Sequence, residues 1–441
     1  MNLRRWLTPG IGIKRWLLVA FAGLVLLALG VASVLRQVTR DLGTGGLGPV
    51  LDVLTLQFLP YPWRAVIIGG IGLLLLLVGS VRLIRAFMAP YRSTDGDQPL
   101  VEVIYQKRFL ARGPRVVAIG GGTGLSTLLR GLKEYSSNLA AVVTVADDGG
   151  SSGVLRQELG IPAVGDIRNC IAALADAEPL MSELLQYRFP ASAGDPAAST
   201  GLGGHAVGNL LIAAMTAVEG GDFEEGIRQV NRILAVRGQV IPASATPLTL
   251  HARLHDGNVV DGQSRIMRTA GIERVWLTPG DVRASDDALA AIAEADLIVL
   301  GPGSLYTSLL PSLLIPAIRD AVLSASGLRV FACNVATQTG ETEAMDLAAH
   351  VEALVDHTAP GIVDLVLANN QFDAQAPEPW TARPVQLRWP PSVSPAPKLV
   401  LDAVVDPANA HHHDSARLAE RLLRVLEREG GSRRRAVGRT A

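Results

Sequence analysis

Cysteine is nearly absent. The 441 residues hold two, Cys170 and Cys333, each inside an apolar run. They provide neither a disulfide framework nor a thiolate-rich metal site, and read as buried thiols in a reducing compartment. An excess of charge of either sign is missing too. With 40 Lys and Arg against 41 Asp and Glu, the net charge is −1, which excludes a general attraction to nucleic acid. No repeat at solenoid spacing occurs. The length allows two or three structural units.

Apolar residues are in excess, and the excess sits at the N-terminus. Mean hydropathy is +0.29. Residues 16–35 carry no charge and are about long enough to cross a bilayer as a helix. A second uncharged, Gly-rich run over 65–81 predicts a span over 65–84. Pro60-Tyr61-Pro62-Trp63 between them suits the lipid–water interface. Arg4, Arg5, Lys14 and Arg15 precede the first span, and Arg82, Arg85, Arg92, Lys107 and Arg108 follow the second. Only Arg36, Arg40 and Arg64 lie between. Positive flanks favour the cytoplasm, so both ends are expected there, with the protein held in the cell membrane by two spans. A cleaved signal peptide is the alternative for the first run, but its apolar region is usually ~7–15 residues. Residues 1–92 are thus the expected anchor, 93–113 a linker, 114–430 a globular domain and 431–441 a disordered basic tail.

Within the domain, short apolar runs alternate with helical periodicity. Strands are predicted over 116–119, 141–145, 240–241, 249–254, 259–260, 274–277, 297–300, 328–333 and 362–368. Helices are predicted over 166–175, after His205, and over 223–236, 286–295, 312–323 and 343–357. This alternation predicts an α/β, Rossmann-like fold: a mostly parallel sheet with helices on both faces and a small β-rich insert near 240–277.

Two glycine turns stand out. Gly120-Gly121-Gly122-Thr123-Gly124-Leu125-Ser126 follows one predicted strand, and Gly301-Pro302-Gly303-Ser304-Leu305-Tyr306-Thr307-Ser308 follows another. A strand, a glycine turn and a helix N-terminus present free N–H groups and the positive helix end to an anion. The first turn lacks the third glycine of the dinucleotide fingerprint and the lysine of a Walker loop. Asp147-Asp148-Gly149-Gly150 follows the next strand. Such paired carboxylates suit ribose hydroxyls, a base edge or a hydrated Mg²⁺; a solvated turn is the alternative.

Other polar residues keep two readings each. Asp166 is a helix cap or a ligand residue. Arg168, beside Asn169, pairs with phosphate or forms a surface salt bridge. His205 and Asn209 share a helix face; no further His or Cys motif joins them, so a substrate hydrogen bond or a satisfied core histidine is favoured over zinc. Glu341-Thr342 reads as a helix entry, and His411-His412-His413 as a solvated loop.

The runs 120–125, 143–153, 165–169, 204–210, 301–311 and 333–342 resemble the gluconeogenesis factor family, which shares a superfamily with 2-phospho-L-lactate transferase. The resemblance covers about 115–368. It implies a nucleotide-binding Rossmann-like fold. Similar proteins bind UDP-sugars such as UDP-N-acetylglucosamine and are linked to cell shape, wall synthesis and growth on gluconeogenic carbon. The related transferases use a guanine nucleotide, a deazaflavin and Mg²⁺. Carried onto this chain, Gly121, Gly122, Thr123, Gly124 and Leu125, with Gly301, Gly303, Ser304, Tyr306, Thr307 and Ser308, would line ribose and diphosphate. Asp147 and Asp148 would sit nearest Mg²⁺ or ribose, and Asn334, Thr337 and Gln338 would close the pocket. Asp166, Arg168, Asn169, His205 and Asn209 complete the expected nucleotide site. The paired spans fall outside the usual family pattern.

Two function classes follow. One is a membrane-tethered nucleotide-sugar-binding regulator without turnover, a homo-oligomer placed near membrane-bound wall-synthesis proteins. The other is an Mg²⁺-dependent transferase of a phospho-acid group, with Asp147 or Asp148 as base or metal ligand. No isolated carboxylate or histidine stands out as a base, which favours the regulator.

Overall fold

The strands come first from the apolar runs. β1 (Val116–Gly120), β2 (Leu139–Val143) and β3 (Gln239–Pro242) lead. An insert of β4 (Thr249–Leu254), β5 (Val259–Asp261) and β6 (Ile272–Thr278) follows, then β7 (Leu297–Leu300), β8 (Leu328–Ala332), β9 (Leu365–Asn369) and β10 (Lys398–Asp402). A closing hairpin pairs β11 (Val405–Asp406) with β12 (Asn409–His413). This computed structural model describes residue 24 and residues 109–175, 178–190, 201–374 and 382–437. The chain divides into two units, 1–108 and 109–441. The expected spans at 16–35 and 65–84 lie outside the described residues, Leu24 apart. Among the described residues no helix is long and apolar enough to cross a membrane.

The main sheet has seven strands in the order β10-β9-β8-β7-β1-β2-β3, every neighbouring pair parallel. β1, β2, β7, β8 and β9 are buried along their whole length. Burial on both faces is why these strands are mostly Val, Ile, Leu and Ala instead of alternating, with the buried Arg329 of β8 an exception that pairs with Asp364. The insert is a separate antiparallel sheet in the order β5-β4-β6.

Strand order places the site. The chain starts in the middle at β1, moves outward to β3, then returns through the insert to β7 on the other side of β1. Val116 to Ile119 pair in register with Leu297 to Leu300. The winding direction reverses between β1 and β7, so a crevice opens at their carboxyl ends.

The helices are α1 (Gly122–Leu132), α2 (Gly150–Leu159), α3 (Gly165–Leu174), α4 (Glu178–Gln186), α5 (Val207–Val218), α6 (Phe223–Ile233), α7 (Gln263–Ile266), α8 (Asp286–Glu294), α9 (Leu310–Leu313), α10 (Pro316–Ser324), α11 (Leu347–His357) and α12 (Ser415–Val437). Most match the periodicity, and the differences have local causes. The helix predicted over 312–323 is broken into α9 and α10, because Pro316 starts a new helix and cannot continue the old one. The helix predicted from 343 begins at Leu347, since Asp346 takes the N-cap and accepts from Ala349 N at 2.9 Å. The C-terminal segment expected to be disordered from 431 continues α12 to Val437. His411-His412-His413 is not a solvated loop but the end of β12. His413 is buried and its Nε2 lies 3.1 Å from the Cys333 carbonyl oxygen.

Candidate functional site

The two glycine turns leave adjacent strands and pack against each other. A Cβ on Gly124 would stand 2.7 Å from the Pro302 carbonyl oxygen and 2.9 Å from Gly303 Cα. Only glycine permits that approach. Gly301 N donates to the Ile119 carbonyl at 2.9 Å, tying the turns together at their base. Gly121, Gly122, Gly301, Gly303 and Ser304 therefore share one crevice rim, with Thr123 exposed beside them. Leu125 belongs elsewhere. It is fully buried on the inner face of α1, where a leucine contributes about 1.5–3 kcal/mol to folding, so only its backbone can face a ligand.

Three helices begin at this crevice with no side-chain cap of their own: α1 after Gly121, α2 after Gly149 and α3 after Val164. Their first-turn amides point their donors and dipoles to one region. Asp166 does not cap its own helix. Its carboxylate accepts from Gly122 N at the start of α1, and a Cβ on Gly121 would stand 2.3 Å from its Oδ2. Burial, then the Asp147 charge, pushes the Asp166 carboxyl up to about 7, against the lowering effect of Gly122 N–H and Arg168. Burial also raises Asp147, whose Oδ1 accepts from Gly149 N at 2.9 Å.

Asp147, Asp166, Arg168, Asn169 and Asn209 line one cavity of about 210 Å³, with Arg188 at its side. Arg168 is buried. Its guanidinium donates to the amide oxygens of Asn209 at 3.1 Å and Asn169 at 3.0 Å, and its Nε has no partner. Burial, then the like charge of Arg188, lowers its pKa. Arg168 is thus a desolvated cation held by neutral amides rather than the surface ion pair that was the alternative. An anion in the cavity would complete its hydrogen bonding.

His205 and Asn209 support this loop from behind. Ser151 Oγ lies 3.1 Å from His205 Nδ1, and Asn209 Nδ2 donates to Ser151 Oγ at 3.0 Å and Ser152 Oγ at 3.4 Å. The expected shared helix face is not formed, since His205 precedes α5, which starts at Val207; the turn before the helix brings His205 to the start of α2 beside Asn209. Among the described residues no group of three or more His, Cys, Asp or Glu could hold a metal ion.

The second turn is braced by the 333–342 segment. Asn334 Oδ1 accepts from Gly303 N at 3.0 Å and its Nδ2 donates to Gly303 O at 2.9 Å. Ser304 Oγ donates to Gln338 Oε1 at 2.7 Å. Thr337 is occupied by the Arg383 backbone, accepting from Arg383 N at 3.0 Å and donating its own N–H to Arg383 O at 2.7 Å. These hydrogen bonds shape the turn. Glu341 does more than start a helix. It is buried, accepts from Tyr306 N at 3.2 Å and from Thr307 Oγ1, and burial pushes its carboxyl up to about 7. Tyr306 faces away. Its ring packs edge-on against His357 at 5.7 Å and lines a different cavity of about 740 Å³ between the insert and α11. Ser308 stays at the crevice, with its Oγ 3.7 Å from a Cβ position on Gly122.

Sequence reasoning missed Glu341 and Arg188. The sequence signal for Arg188 is slight, a cation between Tyr187 and Phe189. Asp147 and Asp148 line different cavities, so each could give magnesium one carboxylate but no shared ligand pair is formed. Each has one oxygen engaged by backbone, Asp147 by Gly149 N and Asp148 by Ser264 N at 2.8 Å. Magnesium takes one or two carboxylates and fills the rest with phosphate oxygens and water, so an ion here would be shared with a bound ligand.

Residues 116–386 match the family described as 2-phospho-L-lactate transferase CofD. The gluconeogenesis factor of Bacillus subtilis is 43% identical over 324 residues, covering 72% of this chain and all of that protein. The gluconeogenesis factor of Halalkalibacterium halodurans is 49% identical over 257 residues, 58% of this chain and 77% of that one. The crystal structure of a UPF0052 family protein from Bacillus halodurans superposes with a TM-score of 0.63 at 41% identity, covering 71% of this chain and 99% of that chain. The fold, the paired glycine turns and these matches agree: the chain belongs to the gluconeogenesis factor family, within the wider family of 2-phospho-L-lactate transferase CofD.

Proposed function

We propose that this protein is a membrane-tethered, cytoplasmic regulator that binds a nucleotide-sugar, a UDP-sugar such as UDP-N-acetylglucosamine, and couples carbon supply to cell shape and wall synthesis. The observation that carries it is the contact between the two glycine turns at the strand-order reversal. One diphosphate there would meet those amides of the two turns that are not already held, since Asp166, Ile119, Asn334 and Glu341 take the N–H groups of Gly122, Gly301, Gly303 and Tyr306. The buried Arg168 guanidinium, with a free Nε, supports a further anionic contact. Family membership supports the link to gluconeogenic growth. The charge distribution around residues 16–35 and 65–84 supports the tether. A second reading, an Mg²⁺-dependent transferase of a phospho-acid group, draws on the family match and on two neighbouring carboxyls with raised pKa, Asp147 and Asp166.

Thermal unfolding of the full chain in detergent separates them. Saturation at about 100 times Kd stabilises by roughly 2.7 kcal/mol. The regulator reading expects UDP-N-acetylglucosamine to raise Tm with no nucleotide released. A shift with GDP plus a deazaflavin alone, or steady nucleotide release with Mg²⁺, would favour the transferase. A reporter fused after Ala441 should be active only in the cytoplasm; a signal from outside the cell would overturn the topology.

A further inference from the structure

Beside the crevice lies a further cavity, of about 680 Å³, which the nucleotide reading touches only through Asp148. Its floor is Asp148, Gly149 and Gly150, the start of α2. One wall is apolar, from Val259 of β5, and the other carries Arg265 and Arg268 at the end of the insert. Gly149 and Gly150 also line the cavity that holds Arg168, so the two spaces meet at that turn.

The arginine wall is fixed from both ends. Asp148 Oδ1 accepts from Ser264 N at 2.8 Å at the start of α7. At the other end Gly340 packs so closely that a Cβ there would stand 2.6 Å from Met267 O and 3.0 Å from Arg268 C. Arg156 of α2 donates to Thr249 Oγ1 of β4 at 2.9 Å, holding the insert to the crevice. Of the insert's two other arginines, Arg253 pairs with Glu273 at 2.9 Å. The guanidiniums of Arg265 and Arg268 have no ion pair and no hydrogen bond among the described residues. Two exposed arginines without an ion pair, on a clamped backbone and in one lining with Val259 and Asp148, offer fork-shaped donors to a planar acid.

We infer that Arg265 and Arg268 form an acid-binding subsite that receives a carboxylate or phosphate carried by the non-nucleotide part of the ligand, or by a second small acid bound next to it. The inference rests on the nucleotide reading, because the subsite opens from the same turn. It makes the ligand a nucleoside diphosphate conjugate with an acidic far end, or a nucleoside diphosphate conjugate paired with an acidic partner molecule. No bond is made or broken by this binding.

The test measures equilibrium binding to the full chain with UDP, UDP-glucose, UDP-glucuronate and free glucuronate. The native chain should bind UDP-glucuronate about tenfold or more tightly than UDP-glucose. The Arg265→Gln/Arg268→Gln double variant should lose that preference while keeping native affinity for UDP, which also reports that it is folded. Free glucuronate binding to the UDP-saturated native chain and not to the variant would support the subsite with a separate acid as its occupant. UDP binding with no preference for UDP-glucuronate and no binding of glucuronate would overturn the subsite and leave the nucleotide reading standing. Absence of UDP binding to the native chain would overturn both.

Discussion

Asp166→Asn should make the protein more stable above neutral pH. The native carboxyl titrates near 7 instead of 3.8, chiefly because it is buried, and next because Asp147 is charged nearby. A carboxyl whose pKa is raised by folding holds its proton more tightly in the native state. Its contribution is therefore most favourable below about pH 4 and declines as pH rises through 7. The rise from 3.8 to about 7 corresponds to about 4 kcal/mol against the charged form above pH 7. One side of Asp166 opens to the crevice, where water screens it, so about half of that is a fair expectation. Asparagine has the same shape, stays neutral and can still accept from Gly122 N. At pH 8 the variant should gain about 2 kcal/mol, or about 3 °C in Tm for a domain of this length. Below pH 4 the gain should vanish. Calorimetric scans from pH 4 to 9 test this on the full chain. Glu341, also near 7, leaves a residual dependence of the same sign in both proteins. A variant that melts at or below the native temperature at pH 8 would refute the reasoning, because burial of the charge would then not be a cost.

Other perturbations probe the remaining parts. Gly124→Ala places a methyl 2.7 Å from Pro302 O and 2.9 Å from Gly303 Cα; it should cost about 1–3 kcal/mol of stability and remove the Tm shift caused by UDP-N-acetylglucosamine, while Thr123→Ala, at an exposed position, should keep both near native values. Asn334→Ala removes both hydrogen bonds to Gly303 and should weaken ligand affinity by about tenfold with a stability loss of about 1–2 kcal/mol, read by calorimetry with and without ligand. His413 is buried and neutral, with its pKa pushed down to about 4 by burial. Its contribution is complete above the unfolded value near 6.5 and is lost as pH falls from 6.5 towards 4, by about 3 kcal/mol. His413→Gln should flatten the Tm profile in that acid window, and an unchanged profile would contradict the assignment.

The parallel sheet was legible because its buried strands are mostly aliphatic runs and its turns are written in glycine. β10 was not, since Lys398-Leu399-Val400-Leu401-Asp402 is a short edge strand in a proline-rich stretch and has no two-sided burial to record. β12 was hidden because a run of three histidines looks polar, while in the fold His413 turns inward to the Cys333 carbonyl. At the site, spacing brought the correct segments together but could not separate ligand-facing groups from supporting ones. His205 and Asn209 hold Ser151, and Asn334 holds Gly303. Those roles depend on distant contacts that one sequence does not record. Glu341 illustrates the same limit: next to Gly340 it looks like a helix entry, and only the packing of Tyr306 and Thr307 against it makes it the brace of the second turn.

The most direct measurement is backbone hydrogen exchange on the full chain with and without UDP-N-acetylglucosamine, followed over residues 120–126 and 301–309. One diphosphate bridging the glycine turns predicts slower exchange in both segments at the same ligand concentration. Slowing confined to a single segment, with the other unchanged at saturation, would contradict a shared anion site.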